Sequence, residues 1–207
     1  MLKLISAIIL KLIGWKIVGE IPKEVRKAVV ISAPHTSNLD FVIGRLGLWY
    51  KGYPVHFLIK KEAFKPVWLG WIIKKAGGIP VDRSKSSSTT KKIAEELKKR
   101  DHTYLIITPE GTRSLARTWK KGFYYIAQEA GIPIVLGFVD YPRKQGGFGP
   151  VFYPTGDYDK DIKEIQKFYY DKGAKHPERF NLSPENRARF EKEKAEREKK
   201  NESKTTS

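Results

Sequence analysis

His35 and Asp40 stand in the run Ala33-Pro34-His35-Thr36-Ser37-Asn38-Leu39-Asp40, and Thr108-Pro109-Glu110-Gly111-Thr112-Arg113-Ser114 follows further along the chain. A histidine that takes a proton from a hydroxyl needs its other ring nitrogen held by a carboxylate, which fixes the tautomer and stabilises the imidazolium. Asp40 lies five residues on, within reach of His35 across a loop-to-helix turn. The same residues also read as a plain capping box, with Ser37 as N-cap and Asp40 at N3. In the second run Pro109 ends a strand and Gly111 permits close backbone approach. Thr112 offers a hydroxyl and an amide, and Arg113 a planar fork suited to phosphate. Glu110 is expected to position rather than to act as a second base, because His35 already fills that role. A base beside an anion cradle suggests transfer chemistry on an acidic or phosphorylated substrate.

The elements that must position these groups can be read from the apolar pattern. Each run follows a short apolar, β-branched stretch, Ala28 to Ile31 and Tyr104 to Thr108. Both therefore sit where a strand ends, and open α/β sheets build their sites at strand carboxyl ends. Further strands are expected at Trp15 to Val18, Val55 to Ile59, Ile79 to Val81, Ile134 to Val139 and Val151 to Tyr153. Helices are expected at Leu39 to Tyr50, Pro66 to Ala76, Thr89 to Lys99, Trp119 to Ala130 and Asp159 to Tyr170. Strands and helices that trade places every 10 to 15 residues predict an α/β fold, a mixed and mostly parallel sheet flanked by helices. Gly146, Gly147 and Gly149 are read as a turn. Ser183 and Pro184 open a charged helix, Arg187 to Lys200, and Asn201 to Ser207 read as disordered. One domain is expected over 1–183, followed by a charged helical to disordered tail over 184–207.

Forty Lys and Arg against 23 Asp and Glu give a formal charge of +17 over 207 residues. That balance favours an acidic partner: an anionic membrane, an acidic carrier protein or nucleic acid. No cysteine is present, so disulfides, thiolate metal sites and a cysteine nucleophile are excluded. Residues 1–14 are rich in Leu and Ile but carry Lys3 and Lys11, and Lys16 follows. The uninterrupted apolar stretch is far below the roughly 20 residues needed to span a bilayer. It suits a short helix in the membrane interface, its lysines reaching for headgroups; a helix packed on the core is the other reading. Phe41, Trp49, Phe57, Trp68 and Trp71 are apolar bulk near the motifs, expected mostly in core or interface, with some lining an acyl groove.

Four blocks in order resemble the glycerophospholipid acyltransferases of the lysophosphatidic acid acyltransferase type. They are His35 to Asp40, Gly77 to Arg83, Pro109 to Ser114 and Gly131 to Val135. The run Lys60-Lys61-Glu62, with Pro66 and Gly70, also resembles the family segment before the Arg block. The resemblance spans roughly residues 28 to 140. It implies an acyltransferase fold and direct transfer from a thioester, acyl carrier protein or coenzyme A, to the hydroxyl of a lyso-lipid. The acceptor implied is 1-acyl-sn-glycerol-3-phosphate and the product phosphatidic acid. His35 and Asp40 take the catalytic roles. Arg83, Glu110, Gly111, Thr112 and Arg113 take substrate-binding roles, and Lys60 is a further phosphate candidate with a surface role as its alternative. No cofactor beyond the thioester co-substrate and no metal is expected. An acyl-enzyme is not needed either: the chain lacks a Gly-x-Ser-x-Gly elbow. The implied location is peripheral, on the cytoplasmic face of a membrane. Many members carry Asn before the His, and here it is Pro34, a departure that bears on the acceptor rather than on the chemistry. Another lyso-lipid, such as a lyso-aminolipid, remains an alternative acceptor. The non-enzyme alternatives are a basic lipid-binding or nucleic-acid-binding protein, although no nucleic-acid signature appears and nucleic acid is not an expected partner.

Overall fold

The computed structural model describes residues 1–75, 77–81 and 86–205; of residues 60, 86–88 and 199–205 it describes the backbone alone. Among the described residues, seven strands form one sheet. They are β1 (Lys16–Val18), β2 (Lys27–Ala33), β3 (Val55–Lys60), β4 (Gly78–Val81), β5 (Thr103–Ile107), β6 (Ile134–Asp140) and β7 (Gln145–Phe152). The helices are α1 (Leu2–Leu12), α2 (Asn38–Lys51), α3 (Val67–Lys75), α4 (Ser86–Lys98), α5 (Gly122–Ala130), α6 (Tyr158–Lys167) and α7 (Pro184–Thr205). Strand order is β1-β7-β6-β2-β5-β3-β4. Every neighbouring pair is parallel except β6 with β7, which is antiparallel. The sheet is thus mixed and mostly parallel, as expected.

β2 is central, and its residues Ala28, Val29, Val30 and Ile31 are all buried. A strand covered on both faces needs no polar alternation, which is why it reads as a continuous apolar run. Val29 and Ile31 face one layer, where Ile93 and Leu97 of α4 meet Phe123, Ile126 and Ala127 of α5. Ala28 and Val30 face the other, with Leu48 of α2, Tyr104 and Phe148. A third cluster joins Leu10 of α1 and Trp15 to Ile43 and Leu46 of α2 and Val139 of β6. α1 therefore packs on the domain through one side only. Leu10 is buried, whereas Leu4, Ile8 and Leu12 are 67%, 50% and 81% exposed.

The glycine cluster at 146, 147 and 149 departs from the sequence reading: it forms no turn but lies inside β7. The turn falls earlier, at Tyr141 to Lys144. β7 is clamped between β1 and β6, and a Cβ on Gly147 would sit 1.9 Å from the Val18 carbonyl oxygen. Glycine is required there by close backbone approach, not by a change of chain direction. α7 runs to Thr205, five residues beyond the end expected for the charged helix, so the backbone over 201–205 is helical where disorder was expected. Trp68 and Trp71 of α3 lie 69% and 59% exposed, outside the core.

Candidate active site

β2 and β5 run parallel side by side, with Ile31 opposite Ile107. Their exits are adjacent, and the two motifs meet although 75 residues separate their central members: the His35 N–H donates to Glu110 Oε2 at 2.9 Å. α2 then begins with Ser37 as N-cap. Ser37 Oγ accepts from Leu39 N, and the Asp40 carboxylate accepts from Ser37 N at 2.7 Å. The capping box is present, and the same carboxylate also lies against the His35 ring, so the two readings of Asp40 do not compete. Asp40 Oδ2 also accepts from Thr36 N at 2.6 Å and lies 3.5 Å from His35 Nδ1.

Asp40 is 1% exposed, and the His35 side chain 17%. Burial alone would raise the carboxyl pKa. Donors from His35, Tyr141, Ser37 and Thr36 outweigh it and hold Asp40 below its ordinary value, so the group stays an anion. The opposite happens one residue cluster away. Glu110 is 3% exposed; burial, with the Asp40 charge adding to it and the His35 N–H opposing it, pushes its pKa from 4.5 to about 8. Its Oε1 has no hydrogen-bond partner among the described residues. Burial thus favours the neutral form of Glu110, whose Oε2 accepts from the His35 main chain.

The site opens into a cavity of about 900 Å³. His35, Asp40, Gly111, Arg113 and Lys120 line its polar end, and Phe41, Phe57, Phe123 and Phe138 its apolar walls. Gly111 holds a φ of +68°, and a Cβ there would meet the Lys120 side chain at 2.6 Å. Lys120 is thereby laid across the Gly111 backbone beside Arg113. Thr112 Oγ1 accepts from Ser114 N at 3.2 Å, closing the turn that carries Arg113. Arg83 lies outside the described residues. Lys60 ends β3, but its side chain is not described, so neither is placed at the cavity.

Sequence reasoning missed three contributors. Lys120 follows the second motif closely and its charge was visible, but nothing in the spacing pointed it inward. Tyr141 donates to Asp40 Oδ1 at 2.7 Å; the signal available was that it, too, follows the carboxyl end of a buried strand. Thr36 Oγ1 accepts from His176 N at 3.2 Å across 140 residues, and no local pattern encodes that contact.

A family model described as Acyltransferase matches residues 16–136. Curated relatives are 1-acyl-sn-glycerol-3-phosphate acyltransferases. The one from Bacillus subtilis is 33% identical over 107 residues, covering 51% of this chain and 52% of the relative. The one from Saccharomyces cerevisiae is 35% identical over 131 residues, covering 58% and 41%. The chain spans about half the length of the curated relatives it matches. The crystal structure of the 1-acyl-sn-glycerophosphate (LPA) acyltransferase PlsC from Thermotoga maritima superposes with a TM-score of 0.55 at 17% identity, over 81% of this chain and 74% of that one, and so shares the fold. With the family model covering more than half of the chain and both motifs converging on one cavity, this protein belongs to the acyltransferase family.

Proposed function

We propose that this protein transfers a fatty acyl group from a thioester to the free hydroxyl of a lysophospholipid, with 1-acyl-sn-glycerol-3-phosphate as acceptor and phosphatidic acid as product. The observation that carries the reading is the His35–Asp40 pair, 3.5 Å apart, at the polar end of a cavity whose walls are largely apolar. His35 takes the acceptor's hydroxyl proton through Nε2 as the oxygen attacks the thioester carbonyl. Asp40, locked as an anion by its donors, stabilises the imidazolium. The tetrahedral intermediate's oxyanion requires donors, which backbone amides of the motif loops can supply. As the intermediate collapses, the C–S bond breaks and the imidazolium returns its proton to the departing thiolate. Arg113 and Lys120 form the cationic end that suits the acceptor phosphate. Arg83 and Lys60 remain candidates for the same phosphate on the family pattern. Acyl carrier protein and coenzyme A both fit as thioester carriers.

The same reading places the protein on the cytoplasmic face of a membrane, held peripherally. No helix among the described residues is long and apolar enough to cross one. Support for surface attachment comes from two exposed apolar faces. One is α1, with Leu4, Ile8 and Leu12; the other is α3, with Val67, Trp68, Trp71 and Ile72 all about half exposed or more. Lys3 and Lys11 border the first, Lys74 and Lys75 the second, and all are exposed. Right-handed crossovers put α2 and α3 on one side of the sheet, and α1 packs on α2. Both apolar faces thus belong to a single side of the domain. Trp and Lys at such a boundary match the chemistry of a headgroup layer.

The test is a thin-layer assay of labelled acyl donors against a panel of lyso-lipids that includes lysophosphatidic acid and a lyso-aminolipid. Labelled phosphatidic acid is the expected product. Transfer to the lyso-aminolipid alone would reassign the acceptor, and no transfer to any member of the panel would overturn the enzymatic reading.

A further inference from the structure

Asp40 is held from two directions. Thr36 and Ser37 grip Oδ2 from its own loop, but Oδ1 is held by a residue from elsewhere in the sheet. The Tyr141 hydroxyl donates to it at 2.7 Å. Tyr141 follows β6 directly, and β6 runs parallel to β2 with Phe138 opposite Ala33. The end of β6 therefore projects past the point where β2 gives way to the His35 loop. Its ring meets Trp15 edge-on, centroids 5.1 Å apart at 86°, and its N–H donates to Gly173 O at 2.9 Å. Ring and main chain are both fixed, so the hydroxyl has one place to go.

We infer that Tyr141 is a positioning residue, the third member of a Tyr141–Asp40–His35 relay, which sets the pH at which His35 becomes a competent base. The inference rests on the acyl-transfer reading for its kinetic consequence only. Tyr141 keeps its own proton: burial, then the bond to Asp40 and the Asp40 charge, push its pKa upward. Its hydroxyl is consequently a donor throughout the working range. A donor on Oδ1 withdraws negative charge from Oδ2, the oxygen that faces the imidazole. Removing it leaves Oδ2 more basic, favours the imidazolium and moves the neutral, proton-accepting form of His35 to higher pH.

The charged and titratable groups around the pair come from every neighbouring segment. Glu110 comes from the loop after β5, Tyr141 from the turn after β6, and Arg45 from α2. Arg113 and Lys120 line the same cavity as the pair. His176 approaches through its main chain, while its ring lies 3.6 Å from Glu178. Tyr141 donates a side-chain hydrogen bond to Asp40.

The experiment compares wild type, Tyr141→Phe and a 3-fluorotyrosine substituted at 141. The readouts are the pH profile of kcat/KM, kcat and acceptor KM at the plateau, and the His35 imidazole titration followed by NMR, assigned with His35→Ala. Tyr141→Phe is expected to move the acid limb up by about 0.5 unit and to lower plateau kcat several-fold with acceptor KM unchanged. The more acidic fluorotyrosine is expected to move the limb the other way. An unshifted limb in both variants overturns the relay, and so does a lowered melting temperature as the sole effect. If wild type transfers acyl groups to no lyso-lipid, the acyl-transfer reading fails by itself, and the NMR titration still decides for or against the relay.

Discussion

The main chain of His35 is bonded to the side chain of Glu110 at 2.9 Å, so a buried acid fixes the loop on which His35 stands. Burial favours its neutral form. A carboxylate in that position, beside the Asp40 anion, would be a second buried negative charge with one oxygen unpartnered.

A stability consequence follows. The folded pKa of Glu110 is raised from 4.5 to about 8. Below the unfolded value both states are protonated and no penalty applies. As pH rises from about 4.5 to about 8, the unfolded chain ionises while the folded one holds its proton, and stability falls. Above the folded value the whole loss is present. Glu110→Gln keeps the acceptor oxygen without the titration, and should flatten the decline in melting temperature between pH 5 and 8 that wild type is expected to show by roughly this linkage.

Replacing His35 by Ala should lower transfer by about 10²- to 10⁴-fold while circular dichroism is unchanged. Asp40→Asn should fall in the same direction and remain folded, because an amide oxygen can still accept from Thr36 and Ser37. Asp40→Ala strips the acceptors from Thr36, Ser37 and Tyr141 together. It should cost about 2 kcal/mol or more of stability besides. Equal melting temperatures for the Asn and Ala variants would contradict this account of the loop.

Gly111 and Lys120 form a coupled pair. Gly111→Ala would hold alanine at a φ of +68° and displace the Lys120 side chain, so a loss of about 1 kcal/mol is expected from the backbone alone. Lys120→Ala and Arg113→Ala should each raise the KM for a phosphorylated acceptor about tenfold, with the donor KM less affected. The double variant Gly111→Ala with Lys120→Ala should be no worse for the acceptor than Lys120→Ala. If the two losses multiply, the glycine serves some end other than seating the lysine.

On α1 the buried and exposed positions separate two roles. Leu4→Glu with Ile8→Glu should weaken pelleting with anionic vesicles while leaving the melting temperature in place, since both side chains are half exposed or more. Leu10→Ser should do the reverse, because Leu10 covers Ile43 and Leu46. Deleting residues 1–13 would mix both effects. Trp68→Ala with Trp71→Ala should also reduce pelleting and abolish any vesicle-induced blue shift in tryptophan fluorescence. Unchanged vesicle binding in both exposed-face double variants would remove α1 and α3 from the membrane surface.

What the sequence displayed was whatever repeats locally. Buried strands show as apolar runs, and a capping box shows within four residues, so β2, β5, α2 and the His35–Asp40 pair were legible. So was the convergence of two motifs, since parallel neighbours bring strand exits together. The rest depends on contacts between distant segments. Nothing near Tyr141 records that the end of β6 projects past the end of β2. Gly147 was misread because a glycine needed for close approach to Val18 looks, in one dimension, like a glycine needed for a bend. Trp68 and Trp71 are apolar, and apolarity alone does not separate an interior from a surface that meets lipid.

Thr36, between His35 and Asp40, is bonded to the main chain of His176, and Trp119 Nε1 donates to Asn181. Residues far along the chain therefore brace the loop that carries His35. During synthesis the ribosome delivers His35 and Asp40 early and their brace late, with 140 residues between Thr36 and His176. A nascent chain that already displays both motifs still lacks this clasp. The braced loop forms only once His176 has been made, and a chain cut short before it would carry both signatures in an unfastened loop.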